Sequence, residues 1–185
     1  PLYLFSQVCC PFCGKPLSWT QIHMENNQVC SGAGNCPCGF RAAVREGILI
    51  VEDIQAPLIP PVDRHLATLQ QRSPQDVSYI EGFNQWIKLQ LDQLELDGKI
   101  IFEDVLNTAC FLNRAIAELP SNAYYILCDT DLQIVRYYMA SIRAAYPDGN
   151  FLFLVDDGIH HPLKAGCLDI IIDYAASEVY QKYGY

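Results

Sequence analysis

Positive charge is scarce in this sequence: 12 lysines and arginines stand against 21 aspartates and glutamates, a formal net charge of −9. That argues against binding of nucleic acid or an anionic membrane by this chain alone, because phosphate contacts need a basic face. Long hydrophobic runs are missing too. None approaches the roughly 20 residues of a membrane span, and the N-terminus lacks a basic region followed by an apolar core. Neither a membrane anchor nor a secretion signal is expected, and the expected compartment is the cytoplasm. Charged residues make up only 18% of the chain and hydrophobic ones 51%. This composition excludes disorder and fits one ordinary domain plus a small module.

Cysteine, by contrast, is plentiful and uneven. Six of the nine lie between Cys9 and Cys38, while Cys110, Cys128 and Cys167 are scattered through apolar surroundings and read as small core residues. An odd total clustered at one end favours metal ligation over a disulfide framework. Cys10-Pro11-Phe12-Cys13-Gly14 is a C-x-x-C knuckle whose glycine permits the turn that aims backbone N–H groups at a thiolate. A second knuckle lies around Cys30, Cys36, Cys38 and Gly39. Cys10, Cys13 and Cys38 are the firm ligands. The fourth is Cys36 or Cys30; the shortened C-P-x-C-G pattern favours Cys36, and Cys9 and His23 are weaker candidates. Four thiolates in two pairs predict a closed, structural zinc site that staples a module too small for its own core. Beyond it, Ala42 to Val51 reads as two short strands around Glu46-Gly47.

Proline-rich Ala56 to Pro61 predicts an extended linker, and Arg64 to Arg72 a short helix. From Ser78 to Leu96, the residues Ile80, Phe83, Ile87, Leu91 and Leu94 recur at helical spacing. The remainder alternates short apolar strands with helices. Strands are expected at Ile100–Phe102, Tyr124–Cys128, Phe151–Val155 and Leu168–Ile172. Helices are expected at Cys110–Leu119 (capped by Asn107 or Thr108), after Asp131, and from near Ala175. Each strand runs into carboxylates: Glu103 and Asp104, Asp129, Asp156 and Asp157, and Asp173. One acid after a strand is ordinary turn chemistry. Four at the carboxyl ends of parallel strands converge on the crevice where α/β sheets bind ligands. The fold class is thus α/β: a Rossmann-like, doubly wound, mainly parallel sheet of order 3-2-1-4, preceded by a small zinc-ribbon module. The expected division is 1–55 ribbon, 56–77 linker and 78–185 Rossmann-like domain.

Two sets of residues carry a family resemblance. C-P-F-C-G-K-P-L, C-G-F and R-E-G-I-L resemble the zinc ribbon that precedes the methyltransferase domain of bacterial ribosomal-RNA guanine methyltransferases. Residues 78 to 175 resemble the first half of a class I S-adenosylmethionine-dependent methyltransferase. The resemblance implies that Asp129 accepts from the ribose hydroxyls and that Asp156, with Asp157 beside it, lies near the adenine amino group. It places Glu103 and Asn107 near the methionine end, with Asp104 among the cofactor-binding residues, and aligns Pro162-Leu163-Lys164 and Cys167-Leu168-Asp169 with the family's loop and fourth strand. The glycines of the family's first motif are replaced by Val105, Asn107 and Ala109, which narrows the backbone's approach to the cofactor. The family sheet has seven strands and this sequence carries four. A missing C-terminal portion or a second copy of the chain is therefore expected at the apolar fourth-strand edge.

The function expected from the resemblance is methyl transfer from S-adenosylmethionine, or cofactor binding for it, to an acceptor the sequence does not name. The alternative is a zinc-stapled interaction or regulatory module that keeps the fold without the chemistry. Asp156, Asp157, His160 and His161 have the donor types of a metal hydrolase. With no further ligand spaced to match, a solvated polar loop is the preferred reading there.

Overall fold

The structure is a computed structural model that describes residues 1–52, 73–105 and 110–173. Among the described residues, eight strands form one mixed sheet. They are β1 (Ser18–Glu25), β2 (Gln28–Asn35), β3 (Arg41–Arg45), β4 (Ile48–Val51), β5 (Ile100–Asp104), β6 (Tyr124–Asp129), β7 (Phe151–Val155) and β8 (Ile170–Asp173). The helices are α1 (Leu2–Phe5), α2 (Pro74–Leu91), α3 (Phe111–Ala115), continued by a 3₁₀ turn at Ile116–Glu118, and α4 (Leu132–Ala145). None is long and apolar enough to cross a membrane among the described residues.

The N-terminal strands are an antiparallel meander, because each turn has the backbone for it. Asn26 and Asn27 both take positive φ between β1 and β2, and Glu46 and Gly47 do so between β3 and β4. Paired left-handed residues make the tight hairpin whose twist matches its strands. The later strands pair in parallel, since helical crossovers separate them.

The two halves share one sheet. Ile48, Leu49 and Ile50 of β4 pair in parallel with Phe153, Leu154 and Val155 of β7. The sheet order is β1-β2-β3-β4-β7-β6-β5-β8: the four later strands keep the expected 3-2-1-4 among themselves, but the sheet as a whole is not the expected one, because the N-terminal meander extends it past β7. An apolar strand such as β7, buried on both faces, offers a row of backbone groups beyond its β6 pairing, and β4 fills it. Nothing in the sequence of either strand marks that pairing.

The alternation along the parallel strands divides the core. Ile101, Tyr125, Leu127, Phe151, Phe153 and Ile172 face α2, α3 and α4, meeting Ile87, Leu91, Phe111, Leu112, Ile134, Val135 and Ile142. Ile100, Phe102, Ile126, Cys128, Leu152 and Leu154 face the other way, onto Leu4, Phe5, Val8, Cys10, Leu17 and Phe40. A parallel sheet needs cover on both faces, and the N-terminal segment supplies it on the second.

Several boundaries differ from expectation. Helix α2 begins at Pro74 and ends at Leu91, so Ile80, Ile87 and Leu91 are buried while Leu94, beyond its end, is half exposed. The proline at the first position suits a helix start, where its missing N–H costs nothing. Strand β8 starts at Ile170 because Asp169 is held back, its carboxylate accepting from Ile100 N and Lys99 Nζ. The expected linker core, the Arg64–Arg72 helix, the caps Asn107 and Thr108 and the helix near Ala175 lie outside the described residues.

This packing ranks two leucine truncations. Leu154→Ala, wholly buried under the N-terminal segment, is expected to cost about 2–5 kcal/mol in urea unfolding, and Leu94→Ala less than about 0.5 kcal/mol.

Candidate metal centre and acidic edge

Two knuckles meet at the open end of the β1–β2 hairpin. Cys10 N–H donates to Lys15 O and Gly14 N–H to Cys10 O, both at 2.9 Å. The second loop repeats the pattern one residue shorter: Cys36 N–H donates to Phe40 O and Gly39 N–H to Cys36 O, again at 2.9 Å. Gly14 and Gly39 take φ of 69° and 100°, which a side chain would strain. The repeat explains why Cys36, not Cys30, completes the set. Cys30 lies within β2, where its thiol faces Gln28 O at 3.7 Å.

The sulfurs of Cys10, Cys13, Cys36 and Cys38 all lie within 4.8 Å of one another and could hold a metal ion. Cys10 and Cys38 are 3.3 Å apart, Cys13 and Cys36 3.4 Å, and Cys36 and Cys38 3.3 Å. A tetrahedral ion with bonds of about 2.3 Å to sulfur places its ligands about 3.8 Å apart, so binding asks for little movement. Backbone N–H groups already point at the sulfurs: those of Cys13 and Phe12 at Cys10, that of Cys38 at Cys36, and that of Phe40 at Cys38. The Phe40 N–H, with hydrogen bonds from Cys36 and Cys10, draws Cys38 down to about 7.

The knuckle also grips the loop after β7. Val8 pairs with Leu163 in an antiparallel bridge, Cys9 N–H donates to Pro162 O at 3.0 Å, and Lys164 N–H donates to Gln7 O at 2.9 Å. The rings of Phe12 and His160 lie 5.2 Å apart.

That loop belongs to the acidic edge. The buried charged residues of the described chain are Glu103, Asp104, Asp129 and Asp156, all acids on strand ends. Glu103, Asp129 and Asp156 do local work. Glu103 crosses from β5 to cap α3, accepting Phe111 N–H at 2.5 Å and Leu112 N–H at 2.8 Å. Asp129 Oδ1 accepts from Asp131 N–H at 2.8 Å, and Asp131 itself caps α4 through Gln133 N–H at 2.7 Å. Asp156 Oδ1 accepts from Gly158 N–H at 2.7 Å and lies 3.4 Å from the Cys128 thiol, while its Oδ2 lies 2.8 Å from His161 Nδ1. Asp157 pairs with His160, 2.7 Å from Nδ1, and accepts from the N–H groups of Ile159 and His160. Asn107 lies outside the described residues.

Against models of known protein families the chain matches none, and no curated protein matches it significantly.

The electrostatics follow from burial. Burial works against charge on His161, yet the hydrogen bond and charge of Asp156, with Asp104 and Asp157, outweigh it and raise its pKa above 6.5. Asp157 is likewise opposed by burial, but the His160 backbone and ring hold its carboxyl below its usual range. Sequence reasoning grouped Asp156, Asp157, His160 and His161 as one cluster; the structure separates them into two Asp–His pairs and adds Cys128 from the neighbouring strand. The short D-D-G-x-H-H spacing pointed to the loop, but only strand pairing brings Cys128 beside it.

Glu103 gives the edge a pH dependence. Burial pushes its carboxyl from 4.5 up to about 7, against the pull of the Leu112 and Phe111 N–H groups and the Cys110 thiol. A pKa raised on folding contributes stability that is full below the unfolded value and lost as pH rises through the folded one. Urea unfolding is therefore expected to show a decline between about pH 4.5 and 7 worth at most about 3 kcal/mol, flattened in Glu103→Gln. An unchanged slope in the variant would contradict this assignment.

Proposed function

We propose that the chain is the cofactor-binding part of an S-adenosylmethionine-dependent methyltransferase, stapled by a structural zinc on Cys10, Cys13, Cys36 and Cys38. The observation that carries the reading is the reversal of the chain about β5. From β5 it winds outward through β6 to β7, then returns to the opposite side of β5 with β8. Ligands of open α/β sheets bind at such a reversal, beyond the carboxyl ends of the strands. Asp104, Asp129 and Asp173 end β5, β6 and β8 on that side.

Asp129, buried at the end of β6 and accepting from the Asp131 N–H, is a carboxylate of the kind that ribose hydroxyls require. Asp156 fits the adenine amino group less well, because both its oxygens already engage the protein. When bound, S-adenosylmethionine supplies an electrophilic methyl on sulfonium, so the protein's part is to position it. Among the described residues β8 is an edge strand, with Ile171 exposed, and there the further segment or second copy expected from the sequence would pair.

The commitment of Glu103 and Asp156 to internal hydrogen bonds favours a second reading, a zinc-stapled interaction module without methyl transfer. Calorimetry separates the two. Metal analysis is expected to find zinc at the four cysteines, with Cys38→Ser holding one zinc per chain fewer than the wild type. The zinc-loaded protein is expected to bind S-adenosylmethionine and S-adenosylhomocysteine at micromolar Kd, and Asp129→Ala to weaken both by at least about tenfold, as loss of a charge-assisted hydrogen bond does. No binding by folded, zinc-loaded protein would leave the interaction module as the account.

A further inference from the structure

Three ligand types from three places converge behind the acidic edge. Cys128 comes from β6, Asp156 follows β7, and His161 comes from the loop beyond. One ligand atom from each lies within 4.8 Å of the other two. We propose that Cys128, Asp156 and His161 form a second divalent-metal site, for zinc or a similar borderline ion, distinct from the four-cysteine centre and open at one coordination position.

The geometry resembles that of the four cysteines, whose sulfurs contact one another at 3.3 to 3.4 Å where an ion would sit. Here Asp156 Oδ2 is 2.8 Å from His161 Nδ1, and Asp156 Oδ1 is 3.4 Å from Cys128 Sγ. Each contact is held by a proton that a cation would replace: the thiol proton of Cys128, and the proton shared between His161 and Asp156. Thiolate, imidazole and carboxylate together suit zinc and its neighbours rather than calcium or magnesium.

The surroundings of a metal ligand are in place as well. Gly158 N–H donates to Asp156 Oδ1 at 2.7 Å, which fixes the carboxylate with Oδ2 facing His161. A carboxylate fixed in this way by an outer hydrogen bond is a usual companion of metal ligation. The His161 ring lies against Phe102, centroids 4.9 Å apart, which sets its plane. Cys128 and Asp156 are fully buried, while the His161 side chain is 28% exposed, so an ion enters from that side.

Charge favours occupancy. The carboxylates whose charge reaches Cys128 or His161 are Asp104, Asp129 and Asp157 besides Asp156, and no lysine or arginine is buried among the described residues. A divalent cation offsets this concentration of carboxylates and inverts the electrostatics that keep the Cys128 thiol protonated. Three protein ligands leave the fourth tetrahedral position to water or to an oxygen or sulfur of a ligand, as catalytic rather than closed zinc sites do.

The test uses the full chain loaded with one equivalent of zinc and titrated with Co²⁺. A second equivalent is expected to bind with visible d–d bands and a thiolate-to-cobalt charge-transfer band. Cys128→Ser should abolish the charge-transfer band, and His161→Gln should weaken binding of the second ion at least about tenfold. Saturation of the wild-type chain at one metal would overturn the proposal whatever the variants do. So would a charge-transfer band that persists in folded Cys128→Ser, which would place the cobalt on another cysteine.

Discussion

A parallel sheet buried on both faces can exist only if something covers each face, and this constraint organises the molecule. Helices α2, α3 and α4 cover one face. On the other, the knuckle segment packs Leu4, Phe5, Val8, Cys10 and Phe40 onto Ile100, Phe102, Ile126, Cys128, Leu152 and Leu154. Burying a large apolar side chain is worth about 1.5–3 kcal/mol, so this layer is a substantial part of the core. A segment with one short helical turn, two knuckles and a hairpin cannot hold that shape by local propensity alone. Four thiolates around one ion can hold it.

The same contact gives the acidic edge its form. The Val8–Leu163 bridge and the hydrogen bonds from Cys9 to Pro162 and from Lys164 to Gln7 tie the knuckle to the loop that carries His160 and His161. That loop brings His161 to Asp156, and Phe12 to His160. The metal staple and the carboxyl edge are therefore one assembly: the first fixes the loop on which the proposed ligand sites depend. Glu103 plays the matching role on the helical face, joining the end of β5 to the start of α3 through two backbone N–H groups.

Much of this was legible in the sequence, for identifiable reasons. The knuckle cysteines announce themselves through their glycines, and the apolar runs Ile100–Phe102, Tyr124–Cys128 and Phe151–Val155 read as strands because nothing polar interrupts them. The choice of Cys36 over Cys30 followed from a local pattern, C-P-x-C-G, that the hydrogen bonds of the turn reproduce. What was hidden is what depends on contacts distant in the chain. The β4–β7 pairing is made by backbone groups that any apolar strand offers, so the order of the whole sheet could not be read from periodicity. Cys128 looked like a core residue because its partners are 28 and 33 positions away. The inward use of Glu103 and Asp156 was equally invisible, since an acid after a strand looks the same whether it faces a ligand or a helix N–H.

The central claim, that the four-cysteine centre sets the carboxyl edge, is most directly tested by amide hydrogen exchange on zinc-loaded and chelator-stripped protein. The account predicts that stripping the metal removes protection at residues 8–14 and 36–40 and also at 158–164, where the knuckle holds the loop, while β5 and β6 keep most of theirs. Protection lost only within the knuckle, with 158–164 unchanged, would contradict it.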